Sequence, residues 1–385
     1  MANRIAISRE QQIFVVKETT RGTLKAPTAT GLIIAAGEGT IKQQPSFTNS
    51  SEIRNSRDIL NRFQDRTPPG DWSIPLYASP SGSAGTAPQE DVLMECLFGK
   101  KTVNAGVSVV YSLAMLKSSF SIWIKKGHTV FNASGATVGS GKTALATKDG
   151  TKLDFSGKFM KMGWAGEDAL ASAAIIGATT ITVGDARKYT VGSMIEFVEG
   201  TAVKNNTNAG YKVSIANTST NVLTITPGLE EALDNASIVR GWLPTGTEVG
   251  TPLESRKGSA ELDTVPFNVQ SMDVNISDEP KYLEDEITTS GYAEEYAEDE
   301  RQVSGTLAVY FRQDDVGFFS DGLNNVEKEL TMVVGNVAGS IMEWNMERVS
   351  LSVPDVTSSS PTLALSIPYM ALGTDGEDSI EVTYK

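Results

Sequence analysis

The chain has a single cysteine and a single histidine in 385 residues, Cys96 and His128. One thiol cannot close an internal disulfide, so a cystine-stapled scaffold is excluded. A Cys/His zinc site lacks ligands. A Ser-His-Asp triad would have to use His128, which stands in Lys125-Lys126-Gly127-His128-Thr129, the sequence of an exposed turn. Positive charge is also short: 33 Lys and Arg face 47 Asp and Glu, a net charge of -14. Gripping DNA phosphates takes clustered cations, and that footprint is absent. Long apolar runs are missing too. The longest uncharged one, 169–184, has 16 residues with three Thr and two Gly, too short and too polar to span a bilayer. Residues 1–10 carry Arg4, Arg9 and Glu10 with no apolar stretch, so no secretory leader is expected. These absences point to a soluble protein of a cytoplasm-like compartment, with no cofactor and no metal.

What the chain has is β pattern. With 40% hydrophobic and 21% charged residues it can bury a core, and its length allows two or three domains or one large β domain with an insertion. Period-two alternation runs through Phe120–Lys125, Val303–Phe311 and Leu363–Ile367. Val265–Ile276, Leu330–Val334 and Ser379–Tyr384 also read as strands. Asp149-Gly150, Asp321-Gly322 and Asp375-Gly376 read as turns between them. Helix signals are few. Pro88–Gly99 has Pro at the start, acids in the first turn and Gly at the end, with Val92, Leu93, Cys96 and Leu97 as its buried stripe. Short helices are expected at Gln313–Phe319 and within Tyr292–Arg301.

Composition shifts between about 169 and 244 toward Thr, Asn, Ala and Val. Ala178–Val183, Met194–Val198, Tyr211–Ile215 and Val222–Thr226 read as four short strands with Gly or Asn between them. The expected organisation is therefore a main β domain, 1–168 plus 245–385, with a small inserted β-barrel or Ig/SH3-like module at 169–244.

Two motifs invite a chemical reading. Ala136–Thr143 matches a phosphate loop with Ala in place of its first Gly. Asp149-Gly150 follows only six residues after Thr143, so no helix can start there, and a Gly/Ser/Thr hairpin tip is the expectation. The second motif is acidic: Asp278, Glu279, Glu284, Asp285, Glu286, Glu294, Glu295, Glu298, Asp299 and Glu300 stand against Lys281 alone, a net of -9 over 23 residues. It lacks the loop spacing of a calcium site and the apolar company of a glycosidase pair. A solvated or partner-facing loop is the plain reading. Residues 1–70 run the other way, with ten Lys and Arg against six acids. A basic N-terminal portion and an acidic loop suit a heterologous, open-ended contact between copies.

Several segments together resemble bacteriophage major tail tube proteins of the long-tailed type. They are Lys17–Thr23 after an opening strand, Pro69–Tyr77 leading to Pro80-Ser81-Gly82, the Pro88–Gly99 helix, Leu153–Trp164, and the pair Leu283–Ile287 and Arg301–Thr306. The resemblance covers the main domain and leaves 169–242 outside it. It implies an all-β tail-tube sandwich whose sheets join across subunits into a ring-wide barrel. It also implies hexameric rings stacked head-to-tail into a DNA conduit, with tail terminator, tape measure and tail-tip proteins as partners. The setting it implies is the virion tail, assembled in the host cytoplasm. The ten acids would then be inter-ring or lumenal contacts, the inter-ring role being favoured because a densely acidic wall repels itself. Other readings are a virion-surface or tail-tip module for a receptor or carbohydrate, and a terminator or baseplate ring. The surface module would want grouped aromatics, yet Trp72, Trp123, Trp164, Trp242 and Trp344 are scattered. An enzyme lacks a credible base, nucleophile pair or metal site.

Overall fold

Alternating apolar and polar residues build strands along almost the whole chain. The computed structural model describes residues 10–385 except 56, 147, 205–208, 288–289 and 360. Among these the chain is all-β apart from short 3-10 turns and two helices, α1 (Asp91–Phe98) and α2 (Gly317–Leu323).

The main sheet has 15 strands. Its path runs Val265–Phe267, Gly258–Leu262, Glu327–Val337, Ser340–Leu351, Thr362–Ala371, Gln302–Tyr310, Ser271–Ser277, Ser140–Ala146, Lys152–Phe159, Gly70–Tyr77 and Thr40–Lys42. Every pairing along it is antiparallel, so hydrophobic residues recur at every second position and face one side. Against that side packs a five-stranded sheet in the order Lys161–Ala165, Thr129–Ala136, Phe120–Lys126, Gln11–Lys17, Leu32–Ile33. Phe120, Ile122, Ile124, Ile13 and Val15 of this sheet join Trp72, Ile74 and Leu76 of the main sheet in one apolar cluster. The Trp72 and Phe120 rings meet edge-on at 5.3 Å, and the Trp72 indole N–H donates to the Thr137 carbonyl at 3.0 Å.

The other side of the five-stranded sheet is covered as well. Phe14, Trp123 and Val130 pack with Met194 and Trp242. Met194 belongs to a third, seven-stranded sheet, in the order Glu167–Ala169, Ile238–Gly241, Met194–Glu199, Tyr211–Asn217, Val222–Thr226, Thr180–Thr182, with Ala202–Lys204 beside Met194–Glu199, and Trp242 directly follows its strand Ile238–Gly241. It keeps its own apolar cluster, including Ile195, Phe197, Tyr211, Val213 and Leu223. All four expected strands of this segment are present, and Glu167–Ala169, Ala202–Lys204 and Ile238–Gly241 are added to them. The strand Phe120–Lys126 lies in a middle layer, buried on both faces. Its alternation therefore separates two cores rather than a core from solvent.

Helix α1 follows its sequence signals. Gly99 closes it in the left-handed region at φ 91°, its N–H donating to the Glu95 carbonyl. Leu93, Met94, Cys96, Leu97 and Phe98 are buried, while Val92 is only half-buried. Leu97 lies over Gly141, where an added Cβ would stand 2.3 Å from a Leu97 methyl. Just ahead of the helix, the buried Glu90 carboxylate accepts from the Tyr384 hydroxyl at 2.5 Å and the Ser79 N–H at 3.2 Å. Burial, the largest influence, pushes this carboxyl up to about 7.

Several expectations change. No helix forms within Tyr292–Arg301; its described residues hold only the short strand Tyr296–Ala297, which pairs antiparallel with Lys281–Tyr282. Asp321-Gly322 is not a turn but lies inside α2, which follows a 3-10 turn at Gln313–Val316. The predicted Val265–Ile276 strand breaks into Val265–Phe267 and Ser271–Ser277, and Leu153–Trp164 into Lys152–Phe159 and Lys161–Ala165. The Gly/Ser/Thr stretch is not a hairpin tip. Thr129–Ala136 and Ser140–Ala146 belong to different sheets, so residues 137–139 carry the chain from one layer to the other.

Candidate functional site

The phosphate-loop mimic closes first. Lys142 sits in mid-strand, in register with Asp154 on one side and Asn275 on the other. Gly141 makes room for Leu97 rather than for a phosphate. His128 occupies the turn after Phe120–Lys126, its Nδ1 3.3 Å from a Glu167 carboxylate oxygen. Cys96 lies on the buried face of α1, where burial pushes its thiol far up. Among the described residues no group of three or more His, Cys, Asp or Glu could hold a metal, and no helix is long and apolar enough to cross a membrane.

Contacts between copies remain as the chemistry to locate, and the acidic run is the first place to look. Its ten acids do not form one patch. Asp278 is buried with Lys117, side chains 2% and 1% exposed, at 3.1 Å. The Lys117 ammonium also donates to the carbonyls of Val138 at 3.0 Å and Asp278 at 2.8 Å. Burial pulls Lys117 down from its ordinary value against the raising effect of Asp278. Arg301 meets the same Asp278 oxygen as Lys117, at 2.9 Å, donates to the Ala114 carbonyl at 2.7 Å, and pairs with Glu377. Glu298 lies 3.9 Å from Lys117, and burial holds its carboxyl above the ordinary range. Glu279 pairs with Lys158 at 3.2 Å, and Asp299 with Lys281 at 2.7 Å. Glu284, Asp285, Glu286, Glu294, Glu295 and Glu300 are exposed.

The basic N-terminal portion meets this run inside one chain. Arg66 donates to the carbonyls of Glu284 at 3.1 Å, Tyr292 at 2.7 Å and Glu286. Thr67 N–H donates to the Gly291 carbonyl at 2.9 Å. The Arg21 guanidinium stacks 3.9 Å over the Tyr296 ring. These are contacts to backbone and ring, and they leave the Glu284–Glu286 carboxylates facing solvent. Close by, Glu18 of the Lys17–Thr23 segment is buried and accepts from Gly22 N–H, Ser119, Ser121 and Gly135 N–H, at 2.7–2.9 Å. That carboxylate pins the turn after the first strand.

Residues 43–69 form an arm that composition did not single out. Phe47–Asn49 pairs antiparallel with Arg62–Gln64, and residues 50–61 join them. All six paired residues are exposed. So are Ile53, Ile59, Leu60 and Phe63, an amount of apolar surface that a monomer has no reason to show. Arg54 pairs with Glu52 at 3.0 Å, and Arg62 stacks 4.4 Å over Phe47. The root is firm: the Gln43 amide donates to the carbonyls of Pro68 at 2.9 Å and Met160 at 2.8 Å. The available sequence signal was Ile53, the adjacent Ile59-Leu60 and Phe63 scattered among polar and charged residues, with no period that could bury them.

Register relates the two features. Ser73, Ser156, Ser140, Ser277 and Gln302 stand side by side across five neighbouring strands. The arm precedes this row on the first strand, and Asp278 and Arg301 flank it on the last two. Arm and acidic cluster therefore leave the same end of the main sheet, four strand spacings apart, about 19 Å.

The comparisons agree with a structural role. The phage tail tube protein family matches residues 8–224, more than half of the chain. The match takes in most of the 169–242 segment, placed outside the shared part by sequence pattern, and stops short of 245–385. No curated protein matches. One solved structure, the cryo-EM anti-feeding prophage cap, a tube-terminating cap, is 14% identical over 36% of this chain and 95% of that one. Its TM-score is 0.27, and the likeness carries no structural weight here. An all-β architecture, a family match across three sheets and an exposed arm lead to one conclusion: this chain belongs to the phage tail tube protein family, as a structural component of a virion tail.

Proposed function

We propose that the chain self-assembles into hexameric rings that stack head-to-tail into the tail tube, the conduit through which DNA leaves the virion. The observation that carries this reading is the arm: it is clamped at its root, projects its apolar side chains into solvent, and adds nothing to the cores of its own chain. Hydrophobic surface held out in this way is stabilised when another copy covers it. Joining sheets across subunits would also close exposed strand edges, which otherwise promote uncontrolled association. A net charge of -14 gives passing DNA phosphates little to grip, so a genome can slide. Terminator, tape-measure and tip proteins would meet the tube at its ends, and assembly would take place in the host cytoplasm. The 167–241 sheet, with its own apolar cluster, is read as a module on the outside of the tube. No catalysis is proposed.

Negative-stain electron microscopy of the purified chain at rising concentration tests the reading. Rings or open tubes with a central hole are expected. Persistent monomer, even with tail-tip extract added as an initiator, would overturn it in favour of a surface-binding module.

A further inference from the structure

Lys117 and Asp278 are buried together at a junction of layers. Lys117 stands in the loop ahead of Phe120–Lys126, in the five-stranded sheet, and Asp278 directly follows Ser271–Ser277, in the main sheet. Both are held in place. The Asp278 N–H donates to the Gly139 carbonyl at 2.8 Å. The Lys117 amine reaches the carbonyls of Val138 and Asp278. Its Nζ is 3.1 Å from Asp278 Oδ2, and the carboxyl carbon lies one bond beyond. Arg301 Nε–H donates to that same Oδ2 at 2.9 Å. The other oxygen, Asp278 Oδ1, is buried and accepts no hydrogen bond, and neither do the two carboxylate oxygens of Glu298. Buried charge served this poorly is costly. A proton placed among these acceptors would turn one of them into a donor.

The surroundings favour neutral forms. Burial, the largest influence, and the nearby Arg301 pull Lys117 toward the free amine, against Asp278 and Glu298. Burial, again the largest, and the Asp278 charge hold a proton on Glu298, against Lys117. A desolvated amine beside a second cation is a nucleophile, and here a carboxyl group is fixed next to it. We infer that Lys117 and Asp278 join in a covalent amide bond between their side chains, with Glu298 carrying the protons. First the Lys117 ammonium gives a proton, by way of Glu298, to Asp278 Oδ1. The Nζ lone pair then attacks Cγ. The charge that develops on Oδ2 faces the Arg301 guanidinium. Glu298 takes a second proton from Nζ and delivers one to the Oδ1 hydroxyl. The Cγ–Oδ1 bond breaks, water leaves, and the Nζ–Cγ amide remains. No oxidant or activating group is consumed. A buried ion pair is replaced by a neutral amide, and a cleft lined by Leu113, Asp278, Glu298 and Arg301 gives the water a way out. The bond ties the two stacked sheets together and closes a loop that contains the whole 167–241 sheet. With its single buried cysteine the chain has no disulfide to do this.

Intact mass spectrometry of the full chain, purified folded and then denatured, tests the inference. The parent is expected to be lighter than its sequence by one water. A tryptic digest should contain a branched peptide joining residues 102–125 to 258–281, uncut at Lys117. The full sequence mass would overturn the inference and leave an ion pair. So would a lost water that maps to a linear peptide, as a succinimide at an Asp-Gly pair would give. Asp278→Asn keeps the shape of the site and can form the same amide, so its loss is expected to change from one water to one ammonia. An unlinked Asp278→Asn chain beside a linked parent would overturn the attack on Cγ. Lys117→Arg keeps a cation and removes the nucleophile, and should show its full mass. Glu298→Gln keeps size and both reacting groups, and should slow formation of the branched peptide at least about a hundredfold, as for a lost general acid–base. Cross-linking at the parent rate in that variant would overturn the proton-carrying role. The outcome is separable from the tube reading: linked chains that never form rings sink only that reading, and tubes of unlinked chains sink only this one.

Discussion

The arm and the seven-stranded sheet are both excursions from the main body, and they treat apolar residues in opposite ways. The small sheet turns Ile195, Phe197, Val213 and Leu223 inward on one another and shares a seam of Trp123, Met194 and Trp242 with the layer beneath. The arm turns Ile53, Ile59, Leu60 and Phe63 outward. Burial within the chain marks the first as architecture. Exposure on a firmly rooted hairpin marks the second as surface prepared for another molecule. The same contrast holds among carboxylates: Glu90 and Asp278 are sealed inside, while Glu284–Glu286 face water.

The strongest way to break this contrast is to remove the arm. Joining residues 46 and 65 by a short Gly-Ser link should abolish rings and tubes in electron micrographs. Stability against denaturant should stay within about 0.5 kcal/mol of the parent, as for a segment that packs on nothing. A large loss of stability would show that the arm belongs to the fold. The reverse experiment is Trp123→Ala at the seam, where a fully buried indole is deleted. It should cost about 3–5 kcal/mol in chemical denaturation, with a separate unfolding phase as the small sheet loosens. A cost near zero would mean that the seam contributes no packing.

Glu90 sharpens the comparison among acids. Its carboxyl is raised in the folded chain to about 7 from an ordinary 4.5, so the folded state holds a proton that the unfolded state has released. Stability from this group is complete below about 4.5 and falls as pH rises through 7, by about 3 kcal/mol from the size of the shift. Glu90→Gln should flatten that slope in denaturation curves taken between pH 4.5 and 8. An unchanged slope would assign it to other groups. The smallest effect is expected at Lys142: with its side chain exposed in mid-strand, Lys142→Ala should change stability by less than about 0.5 kcal/mol and leave assembly intact. Nucleotide hydrolysis by the parent that this variant abolishes would revive the phosphate-loop reading.

Local signals made much of the fold legible. The Gly99 cap, the strand alternation from Val303 onward and the four short strands after residue 178 were all visible, because each depends on a few neighbouring residues. Layering was not. Whether the polar-looking side of Phe120–Lys126 meets water or a second core depends on Met194 and Trp242, far along the chain. The acidic run was legible as charge and illegible as geometry. Lys117 lies 161 residues from Asp278, and no local pattern announces that the two would be buried together. The arm carried the faintest signal, since a few aliphatic residues without a period among polar and charged ones look like any loop until their exposure is seen.

The row of residues from Ser73 to Gln302 has one more consequence. An arm that leaves from one end only makes the subunit's two ends chemically unlike, so any filament built from it has a direction. Growth then proceeds from ends that present different surfaces, and a factor that starts a tube cannot also stop it. A tail assembled this way is read like an arrow, and a subunit inserted backwards has no partner on either side.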